Sequence, residues 1–157
     1  MKPFSLISIS TLIFFLGACA ADSQAGVSVD FETIQFGVIP VTGVSGNRKI
    51  EFIDNQISFD DAVSNYSNAP ADQIDFSAHQ VVLLTMGEKP TGGYGIRIDS
   101  VEETNGTLKL GATETGPGSN CMVTQALTAP YLFVKVSSVK RVETVVIKSE
   151  VVDCSAP

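Results

Sequence analysis

The sequence predicts a mostly β domain, an antiparallel sandwich or partly open barrel with one short helix over about residues 59–67. Three observations predict it. Gln80 to Met86 is a continuous apolar run of strand length, the pattern of a strand buried on both faces. Tyr94, Ile96 and Ile98 alternate with Gly95, Arg97 and Asp99, the period of a strand with one wet face. Asn105-Gly106 between apolar alternations is the strongest short hairpin signal available. Many short strands with hairpin-sized connections mean a sandwich or barrel.

Taken in order, Val29 to Gly37 has a mixed alternation that still favours an extended strand, and the Gly-rich stretch from Val41 to Asn47 reads as a loop. Lys49 to Asp54 is a strand with Ile50 and Phe52 on one side. Ser58 followed by Asp61 imitates a capping box, and Phe59, Ala62, Val63 and Tyr66 fall at helical spacing as a core-facing stripe. Asp60 and Asp61 are adjacent, point to different sides of the helix and so form no acid/base pair, and as first-turn acids they suit its dipole. Pro70 ends the helix region. After the hairpin, Leu108, Leu110 and Ala112 share a face, Gly116-Pro117-Gly118 makes a second Gly-Pro loop, and Tyr131 to Val136 and Val142 to Val152 close the series as strands. Asn105-Gly106-Thr107 and Asn65-Tyr66-Ser67 fit glycosylation sequons but read as a turn and a helix end.

The first residues stand apart. Lys2 precedes the apolar stretch Phe4 to Leu16, too short to span a bilayer but suited to a signal-peptide core. Leu16-Gly17-Ala18-Cys19 matches the bacterial lipobox, in which small side chains admit the peptidase and the Cys19 thiol accepts a diacylglycerol thioether. The chain is therefore divided into a lipoprotein signal peptide (1–18), a lipidated tether (19–28) and a single β domain (29–157). Acyl chains on Cys19 would hold the protein to a membrane of the cell envelope without a transmembrane helix. Ala20 after the cysteine resembles, for a Gram-negative host, the pattern sent on to the outer membrane.

The formal charge is −7, and loss of Lys2 with the leader makes it one unit more negative. Such a surface repels phosphate backbones, which excludes nucleic acid as a partner. With Cys19 lipidated in an exported, oxidising setting, Cys121 and Cys154 read as a disulfide. The competing reading, Cys121 as a nucleophile with His79, the only histidine, lacks any flanking motif. His79, Asp99 and Cys121 are scattered candidates that no spacing unites, so the expectation is a non-catalytic protein without cofactor or metal.

The stretch Gly87 to Tyr94 sits between two clear strand signals and must reverse the chain. Pro90 suits the second position of a turn, and Gly92 and Gly93 are expected to supply positive φ. An ordinary connection would look the same, but Lys89 adds a cation on an acidic chain and Tyr94 an aromatic ring at the loop edge, the makings of a recognition surface.

Asp75-Phe76, Val81-Val82-Leu83-Leu84, the stretch Gly87 to Tyr94, Asn105-Gly106, Gly116-Pro117-Gly118 and Met122 to Tyr131 occur in an order that resembles the C-terminal domain of the protease complex subunit PrcB family, over roughly residues 30–154. The resemblance implies a non-catalytic lipoprotein that associates with an exported protease and supports its assembly or stability. A weaker similarity is to chagasin-type cysteine-protease inhibitors, immunoglobulin-like sandwiches that present three loops at one end. Lys89-Pro90-Thr91-Gly92-Gly93-Tyr94, Gly116-Pro117-Gly118-Ser119 and Ala129-Pro130-Tyr131 follow that order, with Lys89, Gly92, Ser119 and Ala129 departing from the inhibitors' Asn, Thr, Gly and Arg. Loop-based protease inhibition is thus the alternative function. Both readings make Lys89, Pro90, Thr91, Gly92, Gly93, Tyr94, Pro117, Pro130 and Tyr131 the expected partner-binding residues.

Overall fold

The computed structural model describes residues 26–40, 42–43 and 46–155. Its strands are β1 (Val27–Ser28), β2 (Phe31–Gly37), β3 (Lys49–Ile53), β4 (Gln80–Thr85), β5 (Gly95–Thr104), β6 (Thr107–Pro117), β7 (Tyr131–Val136) and β8 (Val142–Val152), with one helix, α1 (Gln56–Tyr66). They form two four-stranded sheets, in the orders β1-β5-β6-β8 and β2-β7-β4-β3. This is the expected sandwich, with α1 as a third layer.

The buried run in β4 explains the layering. Successive side chains of a strand point to opposite faces. Val82 and Leu84 therefore join Val101, Leu108, Leu110, Leu132 and Val134 between the sheets, while Val81 and Leu83 face Phe59, Val63 and Phe133 under the helix. All six residues of β4 are buried. Fully burying one such aliphatic side chain contributes about 1.5–3 kcal/mol, so this strand anchors both cores.

The helix begins earlier than the apparent capping box indicated. Asn55, not Ser58, is the N-cap: its side chain accepts from the Ser58 backbone N–H at 2.9 Å. Ser58 therefore lies inside the helix, and Asp60 and Asp61 fall beyond the first turn, where the dipole does little for them. The stripe itself holds, with Phe59, Ala62 and Val63 buried.

Two irregularities account for the mixed alternations. A bulge between Thr33 and Gln35 shifts β2 midway. Another between Ile98 and Ser100 leaves Asp99 unpaired, so that after Ile96 and Ile98 the next core residue is Val101. The Asn105-Gly106 hairpin forms as expected, with φ of 53° and 80° at the two turn residues. One pairing is not antiparallel: β8 crosses over from β7 and runs parallel to β6 from Leu108↔Val142 to Pro117↔Val152. Val27 and Ser28, expected in the tether, instead pair with Glu103 and Glu102 of β5.

Candidate functional site: the loop end

Strand directions sort the connections onto two ends. At one end lie the 54–55 and 137–141 connections, the hairpin at Asn105-Gly106, and β1 against the last residues of β5. Gln80 closes that end: its side chain donates to the Ser138 carbonyl at 3.2 Å and accepts from the Val142 N–H at 3.2 Å. The opposite end gathers the loops before β3, between β4 and β5, and between β6 and β7, together with the C-terminal segment after β8. It is called the loop end below.

There the 86–94 and 118–130 crossovers run side by side as an irregular ribbon. Lys89 and Thr128 exchange both backbone hydrogen bonds, at 2.7 and 3.0 Å, and the Gly92 N–H donates to the Thr124 carbonyl at 2.9 Å. The Thr128 hydroxyl donates to the Thr91 carbonyl at 2.8 Å. Loops held in this way present side chains at low entropic cost on binding. The glycines act by different means. Gly87 has φ +69° and stands so close to the 46–48 backbone that a Cβ would meet Arg48 N at 2.8 Å. Gly93 has φ +85° and lies against Val123 and Pro117. Gly92, expected to need positive φ, does not: its requirement is the close approach of Thr124.

Tyr94 continues the inward parity of Ile96 and covers Gly116 at the mouth of the sandwich; it is half-buried. The Lys89 ammonium sits 5.7 Å from the centre of its ring, within cation–π range. The two loops expose apolar groups among polar ones: Pro90 and Gly93 are exposed on the first, and on the second Met122 is fully exposed and Leu127 is 53 % exposed.

Cys121 and Cys154 form a disulfide that ties the 118–130 crossover to the segment after β8. The Gly118 N–H donates to the Val152 carbonyl at 2.9 Å beside it. Asp153 accepts from the Ser155 N–H and from Asn120, which holds its carboxyl below the usual carboxylate range. A thiol engaged in this bond is no nucleophile, and His79, whose Nδ1 lies 3.0 Å from the Asp75 carbonyl, belongs to the other end.

Two expected binding residues are not on the surface. Pro130 is buried, its carbonyl accepting from the Met86 N–H at 2.9 Å. Tyr131 is 5 % exposed and lies under α1, where its hydroxyl donates to the Tyr66 carbonyl at 2.7 Å and its ring packs 4.9 Å from that of Tyr66. The reason is parity: Tyr131 opens β7 two residues before Phe133 and must share its face. The third loop of the inhibitor-like trio therefore drops out, while Lys89 to Tyr94 and Pro117 do come together. Cys19 lies outside the described residues.

Glu114 carried no weight in the sequence reading, yet it is the notable charge of this end. It points between the sheets, 5 % exposed, with Oε1 unpartnered and Oε2 accepting from the Arg48 guanidinium across the sandwich. Its inward position was legible as the next step after Leu108, Leu110 and Ala112. On the helix side of the same end a polar cleft of about 320 Å³ is lined by Lys49, Glu51, Asp61, Asn65 and Tyr66. Lys49 is paired with Glu51, which raises its pKa, and burial raises that of Tyr66.

Fold and site together define a β-sandwich module with two hydrogen-bonded crossover loops at one end. Residues 80–137, β4 through β7 with both of those loops, match the family described as PrcB C-terminal. Comparison with curated proteins and with solved structures gives no match.

Proposed function

We propose that this chain is a non-catalytic, lipid-anchored binding subunit that serves an exported protease, and that it docks its partner through the loop end. The observation that carries the reading is the paired crossover: Lys89, Pro90 and Tyr94 on one loop and exposed Met122 and Leu127 on the other are carried by backbones joined by four interloop hydrogen bonds. Aromatic and Met side chains on a rigid loop are the usual anchors of protein interfaces. The PrcB C-terminal match over both loops supports the protease association.

The anchor is assigned to Cys19, in the cell envelope and, for a Gram-negative host, the outer membrane. The described chain starts at Gly26, beside Glu102 and Thr104 at the end away from the loops. A lipid upstream of it leaves the loop end uncovered.

The test is capture of the cognate exported protease by the full chain. Tyr94→Ala and Met122→Asp are expected to lower capture at least tenfold with little change in melting temperature, whereas undiminished capture contradicts the reading. Titration of the chain against cysteine and serine proteases separates it from inhibition: loss of protease activity at micromolar excess would favour the inhibitor alternative. Loss of lipid labelling in Cys19→Ser checks the anchor.

A further inference from the structure

The strand β8 ends its sheet, and it is unlike the other three edges. β1 has two residues, β3 has five, and β2 is broken by its bulge. β8 has eleven residues, contains no proline, and its one register shift lies at its start, between Leu108 and Lys109 of the neighbouring strand. A long regular edge presents unpaired N–H and C=O groups as a template for another strand.

The side on which those groups lie can be read from one hydrogen bond. The Val152 carbonyl points to β6, since it accepts from the Gly118 N–H. Backbone groups alternate sides along a strand, so Val146, Lys148 and Glu150 also bond inward, and Val145, Ile147, Ser149 and Val151 present theirs outward. Any antiparallel addition to this edge must form its hydrogen-bonded pairs through those odd-numbered residues.

We propose that the occupant of this edge is a second copy of the chain, its β8 paired antiparallel about a two-fold axis at Ser149. Charge selects both the occupant and the register. Centred on Ser149, the close non-hydrogen-bonded rows set Lys148 against Glu150 of the second copy twice, and Val146 against Val152 twice. A shift of the centre to 148 would oppose the two copies of Lys148, and a shift to 150 the two copies of Glu150, both unfavourable. The components are available for it. Lys148 has no ion-pair partner among the described residues, and Arg97 engages only Oε2 of Glu150, at 3.2 Å through each of two nitrogens. Val151, 74 % exposed, would face Ile147 of the second copy. The result is one continuous eight-stranded sheet. This inference goes beyond the docking function and does not depend on it.

The experiment uses the full chain in its own envelope, carrying Ser149→Cys, with mild oxidation and non-reducing electrophoresis. A disulfide-linked dimer is expected at 149, and several-fold less from Glu143→Cys, which lies far from the axis. Added to Ser149→Cys, Lys148→Glu or Glu150→Lys alone should reduce the dimer about fivefold or more, and co-expression of the two should restore it, because opposite charges then face each other. These are exposed residues, and unchanged melting temperatures verify that the variants fold. Absence of the 149 dimer, a dimer indifferent to charge reversal, or linkage of residue 149 to a different protein would overturn the proposal.

Discussion

Tyr94 lies flat against Gly116 of the neighbouring strand: a Cβ on Gly116 would stand 3.1 Å from Tyr94 Cε1 and 3.4 Å from Cδ1. The ring can turn from the mouth of the sandwich toward Lys89 because position 116 has no side chain. Gly116→Ala is therefore expected to push the ring outward, shifting its NMR resonances and weakening partner capture several-fold, with a stability loss of about 1 kcal/mol. Unchanged Tyr94 resonances would contradict this contact.

Tyr131 separates structure from binding. Removing its hydroxyl in Tyr131→Phe orphans the Tyr66 carbonyl and should cost about 1 kcal/mol in denaturant unfolding. Tyr131→Ala empties a site among Tyr66, Phe133 and Gly37 and should cost about 3–5 kcal/mol. Partner capture by folded Tyr131→Phe should match the parent chain, the opposite of Tyr94→Ala.

The Cys121–Cys154 bond spans a separation of 33 residues, and in the chain-entropy account such a loop is worth about 3–4 kcal/mol. Replacing both cysteines by serine should lower stability by about that amount and raise amide exchange first around Gly118, whose N–H bonds to Val152. Equal stability with and without reductant would remove the role given to the bond.

Arg48 is the only cation paired to buried Glu114 among the described residues, and truncating one partner leaves the other desolvated. Because the guanidinium is half exposed, the cost of Arg48→Ala is expected near 1–2 kcal/mol, below that of a fully buried pair. Glu114→Gln should recover part of that loss in the Arg48→Ala background, read as a shift in denaturant midpoint.

The acid limb follows from Asp75 and Asp153. Hydrogen bonds from Ser77 to Asp75, and from Ser155 and Asn120 to Asp153, hold both carboxyls below their ordinary value. A folded pKa below the unfolded one gives stability that is present above the unfolded value and lost as pH falls through the folded one. That window lies below about pH 4. Asp75→Asn should flatten the acid loss of stability through this window, lowering stability at pH 7, where the parent's carboxylate is charged, and matching the parent at the acid end, as a pH series of thermal melts would report.

The two-sided core was legible because Val81 to Leu84 is apolar at both parities, and only burial on both faces tolerates that. The hairpin was legible because Asn105-Gly106 names its own turn. The helix start was not, since Ser58 and Asp61 offered a cap with familiar spacing while Asn55, three residues earlier, held the geometry. The docking loops were half legible: glycine and proline marked Lys89 to Tyr94, but only the inhibitor resemblance makes Ala129-Pro130-Tyr131 a loop, while the apolar run from Tyr131 to Val136 reads as a strand. Glu114 shows the converse, a charged residue at core parity whose significance only Arg48, distant in sequence, reveals. The parallel pairing of β8 has no local signature, because edge placement depends on how the 137–141 crossover turns.

The central claim, that partners meet the loop end, is tested most directly by photo-crosslinking from single positions of the full chain in its native host cells, followed by mass spectrometry. Probes at Tyr94 and Met122 are predicted to link to the same exported protease, and a probe at Asn105, at the other end, to leave it unlinked. Linkage from Asn105 with none from Tyr94 and Met122 would contradict the account.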